Sequence, residues 1–260
     1  MDLGIHGNTA LVTASSSGMG LGCARSLSLE GVNIVICGRN SDRLAKAKES
    51  LEAESNGDIL AIQTDLTKPE DVQNLLDKTT KKFGQLDHLV TSAGQPTDGS
   101  FSNLGIDNWY EAYDTFVMST VRVLHATRPL LFNSDVGSVV LITATAVKET
   151  NPNMTMSSTV RKSLIGLMKV LSFEWAPIRV NAILPGSHDT PLMMKHAQST
   201  VDSGKYTSLP EALLGWADNP LNRLGKPEEI GDVATFLSSP RAGYVTGAAI
   251  PVDGGRMRCS

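Results

Sequence analysis

The stretch that decides the fold is Thr9-Ala10-Leu11-Val12-Thr13-Ala14-Ser15-Ser16-Ser17-Gly18-Met19-Gly20. Its apolar run through Thr13 predicts a buried strand, and a helical pattern follows the glycines to about Glu30. Gly18 and Gly20 carry no Cβ atom, so the backbone can approach a pyrophosphate, whose charge the free N–H groups of a helix N-terminus favour. A strand, a glycine-containing turn and a helix in this order predict a phosphate-binding unit.

Short apolar runs recur along the whole chain. They are Thr9–Thr13, Asn33–Cys37, Ile59–Gln63, His88–Thr91, Ser138–Ile142, Arg179–Ile183 and Ala249–Val252. Such runs between amphipathic stretches are typical of buried parallel strands. One helical stretch, reaching Phe83, opens with Thr67 and Glu70, which predict a capping box. The alternation predicts an α/β fold, a Rossmann-type doubly wound parallel sheet of seven strands.

No internal repeat, low-complexity tract or linker divides the chain, so we expect a single domain over residues 1–260. The alternation of strand and helix patterns is interrupted at about residues 187–219. Short apolar pieces such as Leu192-Met193-Met194 alternate there with polar ones. This pattern predicts a lid of small helices over a ligand pocket, with a surface excursion as the alternative.

Composition restricts the possible partners. A net charge of -4 supplies no basic field for nucleic acid, and the scattered Cys23, Cys37 and Cys259 indicate neither disulfides nor a metal site. No basic region followed by an apolar one marks a signal, and no run approaches the roughly 18 apolar residues of a membrane span. We expect a cytoplasmic protein that binds neither nucleic acid, membrane nor metal.

Further motifs follow the later strands in order. They are Asp65, Thr91-Ser92-Ala93-Gly94, Asn181-Ala182-Ile183-Leu184-Pro185-Gly186 and Val252-Asp253-Gly254-Gly255. Together with the first loop, this set resembles the short-chain dehydrogenase/reductase family over essentially the whole chain. In that family the first motif usually begins Thr-Gly, so Ala14 is a departure. The resemblance implies an oxidoreductase that binds a nicotinamide dinucleotide.

The resemblance also implies which residues bind the dinucleotide. These are Ser15, Ser17, Gly18, Met19, Gly20, Arg39, Asp65, Leu66, Ala93, Gly94, Arg161, Pro185, Gly186 and Thr190. Among them, Asp65 resembles the residue that bonds adenine, and the segment from Pro185 to Thr190 resembles the one that encloses the nicotinamide. Most follow the carboxyl end of a strand, where open α/β sheets bind ligands.

The end of the second strand bears on the choice of cofactor. An acidic residue there would accept bonds from a ribose 2′-hydroxyl, but the sequence reads Cys37-Gly38-Arg39-Asn40. Arg39 is a permanent cation that can pair with a 2′-phosphate, which favours NADP(H) over NAD(H). Alternatively, Arg39 merely covers the adenine.

Family members usually reduce a carbonyl with a tyrosine, a lysine four residues later, a serine and an asparagine. No Tyr-x-x-x-Lys occurs in this chain. Alignment on the following helix and strand puts Ser157 at the tyrosine position and Arg161 at the lysine position. The serine position, 13 residues before the tyrosine position, is Ala144, and the asparagine position, seven residues after Trp109, is Phe116. All four roles are therefore substituted.

The substitutions restrict the chemistry. The hydroxyl of Ser157 is a poor acid, and Ala144 and Phe116 cannot relay a proton. Arg161 keeps the positive charge and can still hold ribose hydroxyls or a pyrophosphate, but it cannot act as a proton reservoir. Hydride transfer to an already electrophilic acceptor needs no enzymic acid. The sequence therefore favours an NADPH-dependent reductase of an activated C=N (iminium) or C=C bond, with specialised metabolism as the expected setting. A non-redox cyclase, lyase or isomerase and an NADP(H)-sensing binding protein are the alternatives.

Four residues are candidates for catalysis, namely Ser157, Arg161, His188 and Glu149. His188 is considered as an acid or base beside the nicotinamide, and Glu149 as a carboxylate that stabilises a cation. Leu192, Met193, Met194 and Trp216 predict an apolar wall for a small, largely apolar organic substrate. By resemblance, the helices around residues 107–131 and 154–175 would pair subunits in a homotetramer or homodimer.

Overall fold

The computed structural model describes residues 2–259 and contains one parallel sheet. Its strands are β1 (Thr9–Val12), β2 (Asn33–Gly38), β3 (Ile59–Gln63), β4 (His88–Thr91), β5 (Ser138–Ile142), β6 (Arg179–Pro185) and β7 (Ala249–Val252). They lie in the order β3-β2-β1-β4-β5-β6-β7. The predicted Rossmann-type fold is confirmed. Because the strand order reverses between β1 and β4, a ligand cleft is expected at their carboxyl ends.

Helices connect the strands and cover both faces of the sheet. They are α1 (Gly18–Leu29), α2 (Ser41–Glu52), α3 (Pro69–Phe83), α4 (Ile106–Ala112), α5 (Ser119–Phe132), α6 (Thr155–Ser158), α7 (Ser163–Glu174), α8 (Pro191–Asp202), α9 (Leu209–Trp216) and α10 (Pro227–Ser238). Between α4 and α5 the chain continues as a π-helix, Tyr113–Met118. No helix of residues 2–259 is long and apolar enough to cross a membrane.

The core consists of two apolar layers, one on each face of the sheet. Side chains of α1, α2 and α10, such as Leu27 and Leu237, pack on one face. Side chains of α3, α5 and α7, such as Leu75 and Met168, pack on the other. Burial on both faces explains why the strands read as continuous apolar runs rather than as alternating ones.

The predicted capping box of α3 is wrong. Lys68 occupies the position before the helix, and its side chain makes no capping bond. The hydroxyl of Thr67 instead donates to a carboxylate oxygen of Asp65 at 2.8 Å. A charged acceptor two residues away competes successfully with the helix amides, since charge-assisted hydrogen bonds are the stronger ones.

Two short helices, α8 and α9, occupy the segment predicted as a lid. They pack against one another, with the rings of His196 and Trp216 at 6.2 Å between centroids. The start of the segment lies beside the glycine loop. A Cβ atom built at Gly18 would lie only 3.5 Å from the methyl group of Thr190. The action of the segment as a lid over a substrate stays a prediction.

Candidate active site

A cavity of about 430 Å³ opens at the carboxyl ends of the central strands. Its lining residues are Ala14, Ser16, Ser17, Gly18, Met19, Gly20, Cys37, Gly38, Arg39, Arg43, Thr64, Asp65, Leu66, Thr67, Ser92, Ala93, Gly94, Gln95, Thr115, Ser119, Ile142, Thr143, Arg161, Thr190, Pro191, Leu192 and Lys195. The cavity therefore runs from the end of β3, across the glycine loop, to the end of β5 and the start of α8.

The glycine loop places backbone rather than side chains against this cavity. Gly18 has a positive φ of 58°, and a Cβ atom at Gly20 would lie 2.7 Å from the carbonyl oxygen of Ala14. The Ser17 side chain does not cap α1, which leaves the amides of the first turn open to a ligand on that side. The loop thus fits a pyrophosphate, whose charge these amides and the helix dipole would stabilise.

Ala14, where the family has glycine, adopts the left-handed conformation with φ 47°. That conformation disfavours residues with a Cβ atom. A small residue is nevertheless accommodated in the turn, and the turn keeps its course around Gly20. The departure from the family motif therefore leaves the geometry of the loop in place.

Two arginines lie at the β2 end of the cavity. Arg39 and Arg43 both line it, and an Nη atom of Arg39 would lie 3.6 Å from a Cβ atom at Gly94. The Arg39 guanidinium thus reaches across the cleft towards the loop after β4. This end can hold a phosphate on a ribose, since guanidinium groups pair with phosphate in bidentate fashion.

Asp65 lies at the same end of the cavity. Burial acts to raise the pKa of Asp65, but hydrogen bonds from the hydroxyl and amide of Thr67, with the charges of Arg39 and Lys68, outweigh it and lower the pKa below its usual value. The carboxylate is therefore ionised and fixed, as an acceptor for an adenine amino group would need to be.

Three of the predicted cofactor residues do not line the cavity. Ser15 is buried, and its hydroxyl donates to the carbonyl of Val12 at 2.6 Å and accepts from the amide of Cys37 at 3.0 Å. It thereby joins β1 to β2. Pro185 ends β6 in register with Val252 of β7. At Gly186, a Cβ atom would lie 2.7 Å from the Asp253 backbone.

The remaining predicted cofactor residues all line the cavity, among them Arg161 at its far end. One Nη atom of Arg161 donates to the carbonyl of Thr143 at 3.1 Å, and the other donates to Oε1 of Gln95 at 3.2 Å. The guanidinium carbon lies 3.8 Å from the centre of the Phe116 ring. Burial lowers the pKa of Arg161 to about 10, partly offset by Asp98, so the side chain remains a cation at neutral pH.

Phe116 belongs to the π-helical turn between α4 and α5. Its side chain is fully buried, in a small cluster with Met156 and Val160. A cation over an aromatic face is attracted by the ring quadrupole. The phenylalanine at the asparagine position and the arginine at the lysine position therefore act together, because the first supports the second.

Ser157 is fully buried and does not line the cavity. Its hydroxyl donates to a carboxylate oxygen of Asp98 at 2.8 Å, and its amide donates to the same oxygen at 3.0 Å. The other oxygen of Asp98 accepts from the amide of Met156 at 2.8 Å. The Ser157 proton is thus held by Asp98, and a direct catalytic role for Ser157 stays a prediction.

The structure does not bring His188 and Glu149 to this cavity. His188 lines a separate cavity of about 100 Å³ with Arg223 and Glu229, and its Nδ1 lies 3.1 Å from the carbonyl of Gly186. Burial lowers the pKa of His188, so the ring is neutral at pH 7. Glu149 accepts the amide of Arg258 at 3.4 Å, near the C-terminus. Catalytic roles for both residues stay predictions.

Sequence reasoning missed several residues of the site. Ser16, Arg43, Gln95 and Lys195 line the cavity, and Asp98 holds Ser157. Arg43 could have been found, because it lies in the first turn of the helix after the predicted second strand. Asp98 could not, since the loop after β4 has no periodicity that would connect it to a helix 59 positions away.

No group of three or more potential metal ligands occurs among residues 2–259. The polar groups of the described lining are backbone amides, hydroxyl groups, the side-chain amide of Gln95, four cations and one carboxylate. This donor set fits a dinucleotide, because it offers amides for a pyrophosphate, arginines for a ribose phosphate and a carboxylate for adenine.

Comparison with known proteins identifies the family. The model described as "Enoyl-(Acyl carrier protein) reductase" matches residues 13–256. The chain is 30% identical over 249 residues to the human "Dehydrogenase/reductase SDR family member 4", with 95% of this chain and 86% of that protein covered. The chain belongs to the short-chain dehydrogenase/reductase family, and the predicted class of enzyme, an oxidoreductase, is confirmed.

Solved structures agree with this assignment. L-sorbose reductase from Gluconobacter frateurii, complexed with NADPH and L-sorbose, superimposes with a TM-score of 0.94 at 30% identity, covering 100% of both chains. A short-chain oxidoreductase from Pseudomonas aeruginosa, described as containing an atypical catalytic center and bound to NADPH, gives a TM-score of 0.88 at 28% identity. That match covers 97% of this chain and 98% of the other.

Proposed function

We propose that the protein is an NADPH-dependent reductase of an activated double bond, C=N or C=C, whose acceptor takes up electrons without a proton from an enzymic phenol. The observation that carries this proposal is the pairing of Ser157 with Asp98. The residue at the tyrosine position is buried, and its hydroxyl donates its one proton to a carboxylate oxygen of Asp98, with 2.8 Å between the two oxygens. A group held in this way offers no acid to an alkoxide.

The other family positions support the same conclusion. Ala144 has no side-chain proton to donate, and Phe116 fills the asparagine position with a buried ring. The hydroxyl of Thr143, the residue that follows β5, donates to the carbonyl of Ile183 at 2.9 Å. Reduction of a ketone by the usual acid relay therefore lacks a donor among these residues.

The cofactor assignment rests on the two arginines after β2. Arg39 and Arg43 would hold the 2′-phosphate of NADP(H), Asp65 would hold adenine, and the loop through Gly20 would hold the pyrophosphate. NADPH, when bound, supplies two electrons and one hydrogen as a hydride equivalent. Two solved relatives that resemble this chain closely in fold contain NADPH.

Single-turnover oxidation of bound NADPH tests the proposal. Protein saturated with NADPH is mixed with a conjugated enone, a cyclic iminium salt or a ketone, and the loss of dihydronicotinamide absorbance is followed. We expect oxidation with an activated acceptor and at most a trace with the ketone. Ser157→Ala should change the rate less than about threefold, because its proton is not used.

Two results would count against the proposal. A ketone reduced as fast as the activated acceptors, with loss of that activity in Ser157→Ala, would restore an acid role to this position. Tight NADPH binding with no oxidation by any acceptor would favour a non-redox enzyme or a sensing protein.

A further inference from the structure

Positive charge is not balanced at the β5 end of the cavity. The described lining contains the cations Arg39, Arg43, Arg161 and Lys195 and the single carboxylate Asp65. Asp65 follows β3, whereas Arg161 is bonded to the loop after β5. Four strand spacings separate β3 from β5, on the order of 19 Å. Arg161 therefore has no carboxylate beside it in the described lining.

Asp98, whose charge raises the pKa of Arg161, is occupied elsewhere. One of its oxygens accepts the amides of Gly99 and Met156, at 2.9 and 2.8 Å. The other accepts the amide and the hydroxyl of Ser157. Three of these four bonds tie the carboxylate to the start of α6, and Asp98 does not line the cavity. The described lining therefore offers a cationic substrate no carboxylate at the β5 end.

Arg161 itself is held in place with spare hydrogen-bond donors. Its two described bonds, to Thr143 and Gln95, use two of the five N–H groups of a guanidinium. The ring of Phe116 supports its face. A preorganised cation of this kind stabilises negative charge that develops during a reaction, since nothing must reorganise when the charge appears.

We propose that the acceptor is a C=C bond conjugated to a carbonyl group, and that Arg161 binds the carbonyl oxygen as negative charge develops on it. This inference rests on the proposed reductase function and narrows its substrate class. A C–H bond forms at the β-carbon from the hydride equivalent, the C=C π-pair moves between the α-carbon and the carbonyl carbon, and the C=O π-pair moves to oxygen. A proton from water then forms the C–H bond at the α-carbon, which leaves a saturated carbonyl compound and oxidised dinucleotide.

The alternatives fit the same charges less well. An iminium ion is positive before it is reduced, so Arg161 would repel it. A ketone would become an alkoxide, whose oxygen is much more basic than that of an enolate because its charge is not shared with carbon. The alkoxide would therefore need a whole proton from a neighbouring acid. An enolate needs only stabilisation at oxygen, which a fixed guanidinium provides.

Three small probes test the substrate class. They are 2-cyclohexen-1-one, cyclohexanone and the N-methyl-1-pyrrolinium ion, each assayed with saturating NADPH. We expect kcat/KM for the enone to exceed both others by at least about 10-fold. Arg161→Met should lower the enone value by about 100-fold, as the loss of an oxyanion donor commonly does. Arg161→Lys should recover part of it. Lys48→Met, a control at a surface lysine that does not line the cavity, should stay within about threefold.

A binding measurement tests the role of Arg161 without requiring that any substrate is reduced. With NADP+ bound, 4-nitrophenol is titrated spectroscopically, since its phenolate resembles an enolate oxygen. We expect the anion to bind at least about 10-fold more tightly than the phenol, and Arg161→Met to abolish that preference. NADPH affinity, measured by fluorescence, reports any loss of cofactor binding in the same variant.

The outcomes are distinct. Faster reduction of the iminium ion than of the enone would overturn the substrate class and leave the reductase function standing. Equal affinity for phenol and phenolate, or no binding of either, would also overturn it. Absence of reduction of every probe, with NADPH bound, would overturn the reductase function itself.

Discussion

Arg39 is the residue on which the choice between NADP(H) and NAD(H) depends. It lines the cavity after β2, with Arg43 beside it and no acidic residue at that strand end. Arg39→Ala removes a charge-assisted pair with the 2′-phosphate, which is worth about 1.5–3 kcal/mol. We therefore expect NADPH to bind about 10- to 100-fold more weakly, while NADH affinity changes less than about threefold. Fluorescence titration with both dinucleotides measures this.

Lys48→Ala serves as the control for Arg39→Ala. Lys48 carries the same charge on α2 but pairs with Glu52 at the surface and does not line the cavity. It should leave both affinities unchanged. If Arg39→Ala weakened NADH and NADPH equally, Arg39 would be a cover for adenine rather than a partner of the phosphate.

The burial of His88 is expected to make the stability of the protein depend on pH. The ring is fully buried in β4, accepting from the Asn8 amide and donating to the Ser138 hydroxyl, both at 2.9 Å. Burial lowers its pKa from 6.5 to about 4. The unfolded chain therefore binds more protons between these values, so stability falls as pH drops below 6.5 and levels off below about 4.

The expected loss from His88 between pH 7 and pH 5 is about 2 kcal/mol. Urea unfolding at a series of pH values gives the free energy of unfolding of the wild type and of His88→Gln. The contribution of His88 is the difference between the two slopes of that free energy against pH. Glutamine does not titrate, so the variant should lose less stability on acidification, whatever its stability at pH 7. Parallel slopes would show that His88 titrates normally in the folded protein.

Single residues were only partly predictable from the sequence. Counting back from the following helix places Arg161 at the lysine position, and counting on from Trp109 places Phe116 at the asparagine position. The structure brings those two side chains into contact. The hydrogen bond from Ser157 to Asp98 could not be predicted in this way, because it joins α6 to a loop to which no periodic pattern relates it. His188 had been expected beside the nicotinamide, yet the backbone turns its ring into a different cavity.

At the scale of elements, the contact between α1 and α10 depends on small residues. A Cβ atom at Gly22 would overlap the backbone of Pro227, and one at Gly231 would overlap the carbonyl of Gly22. Backbone atoms at a helix start cannot rotate away as a long side chain can. Gly22→Ala should therefore destabilise the protein by about 1–3 kcal/mol, measured by urea unfolding.

Gly105→Ser is the matched control for Gly22→Ala. Gly105 precedes α4, and a Cβ atom there would meet only Asn108, at 3.8 Å. Serine is favoured at such a position, so stability should change by less than about 0.5 kcal/mol. Equal effects of both substitutions would contradict the close packing of α1 on α10.

Elements proved more predictable than single contacts. Strands such as β3 and β4 have the predicted bounds, because apolar runs flanked by polar turns define a doubly buried strand. The capping box of α3 failed because Asp65 takes the hydroxyl of Thr67. The π-helical turn at Tyr113–Met118 leaves no mark on apolar periodicity, although it sets the position of Phe116.

At the scale of the whole molecule, the order of strands explains the position of the site. Consecutive βα units on either side of β1 and β4 bring the glycine loop, Arg39 and Arg161 to one edge of the sheet, although they are far apart in sequence. Alternation of strands and helices is enough to predict this edge. The charge balance along it follows from side-chain bonds such as that of Asp98, which only the structure supplies.

At the scale of the whole molecule, the protein is also expected to form an assembly of subunits. The helices expected to pair subunits leave large apolar side chains in contact with water, including Phe173, which is 81% exposed, Val170 and Ile106. Exposed apolar patches of this kind mark interaction surfaces, so we expect a homodimer or homotetramer. Phe173→Glu should lower the mass measured by sedimentation or light scattering, because a buried carboxylate at an interface is costly. Leu29→Glu, on α1, should leave the mass unchanged, and a monomeric wild type at micromolar concentration would contradict the prediction.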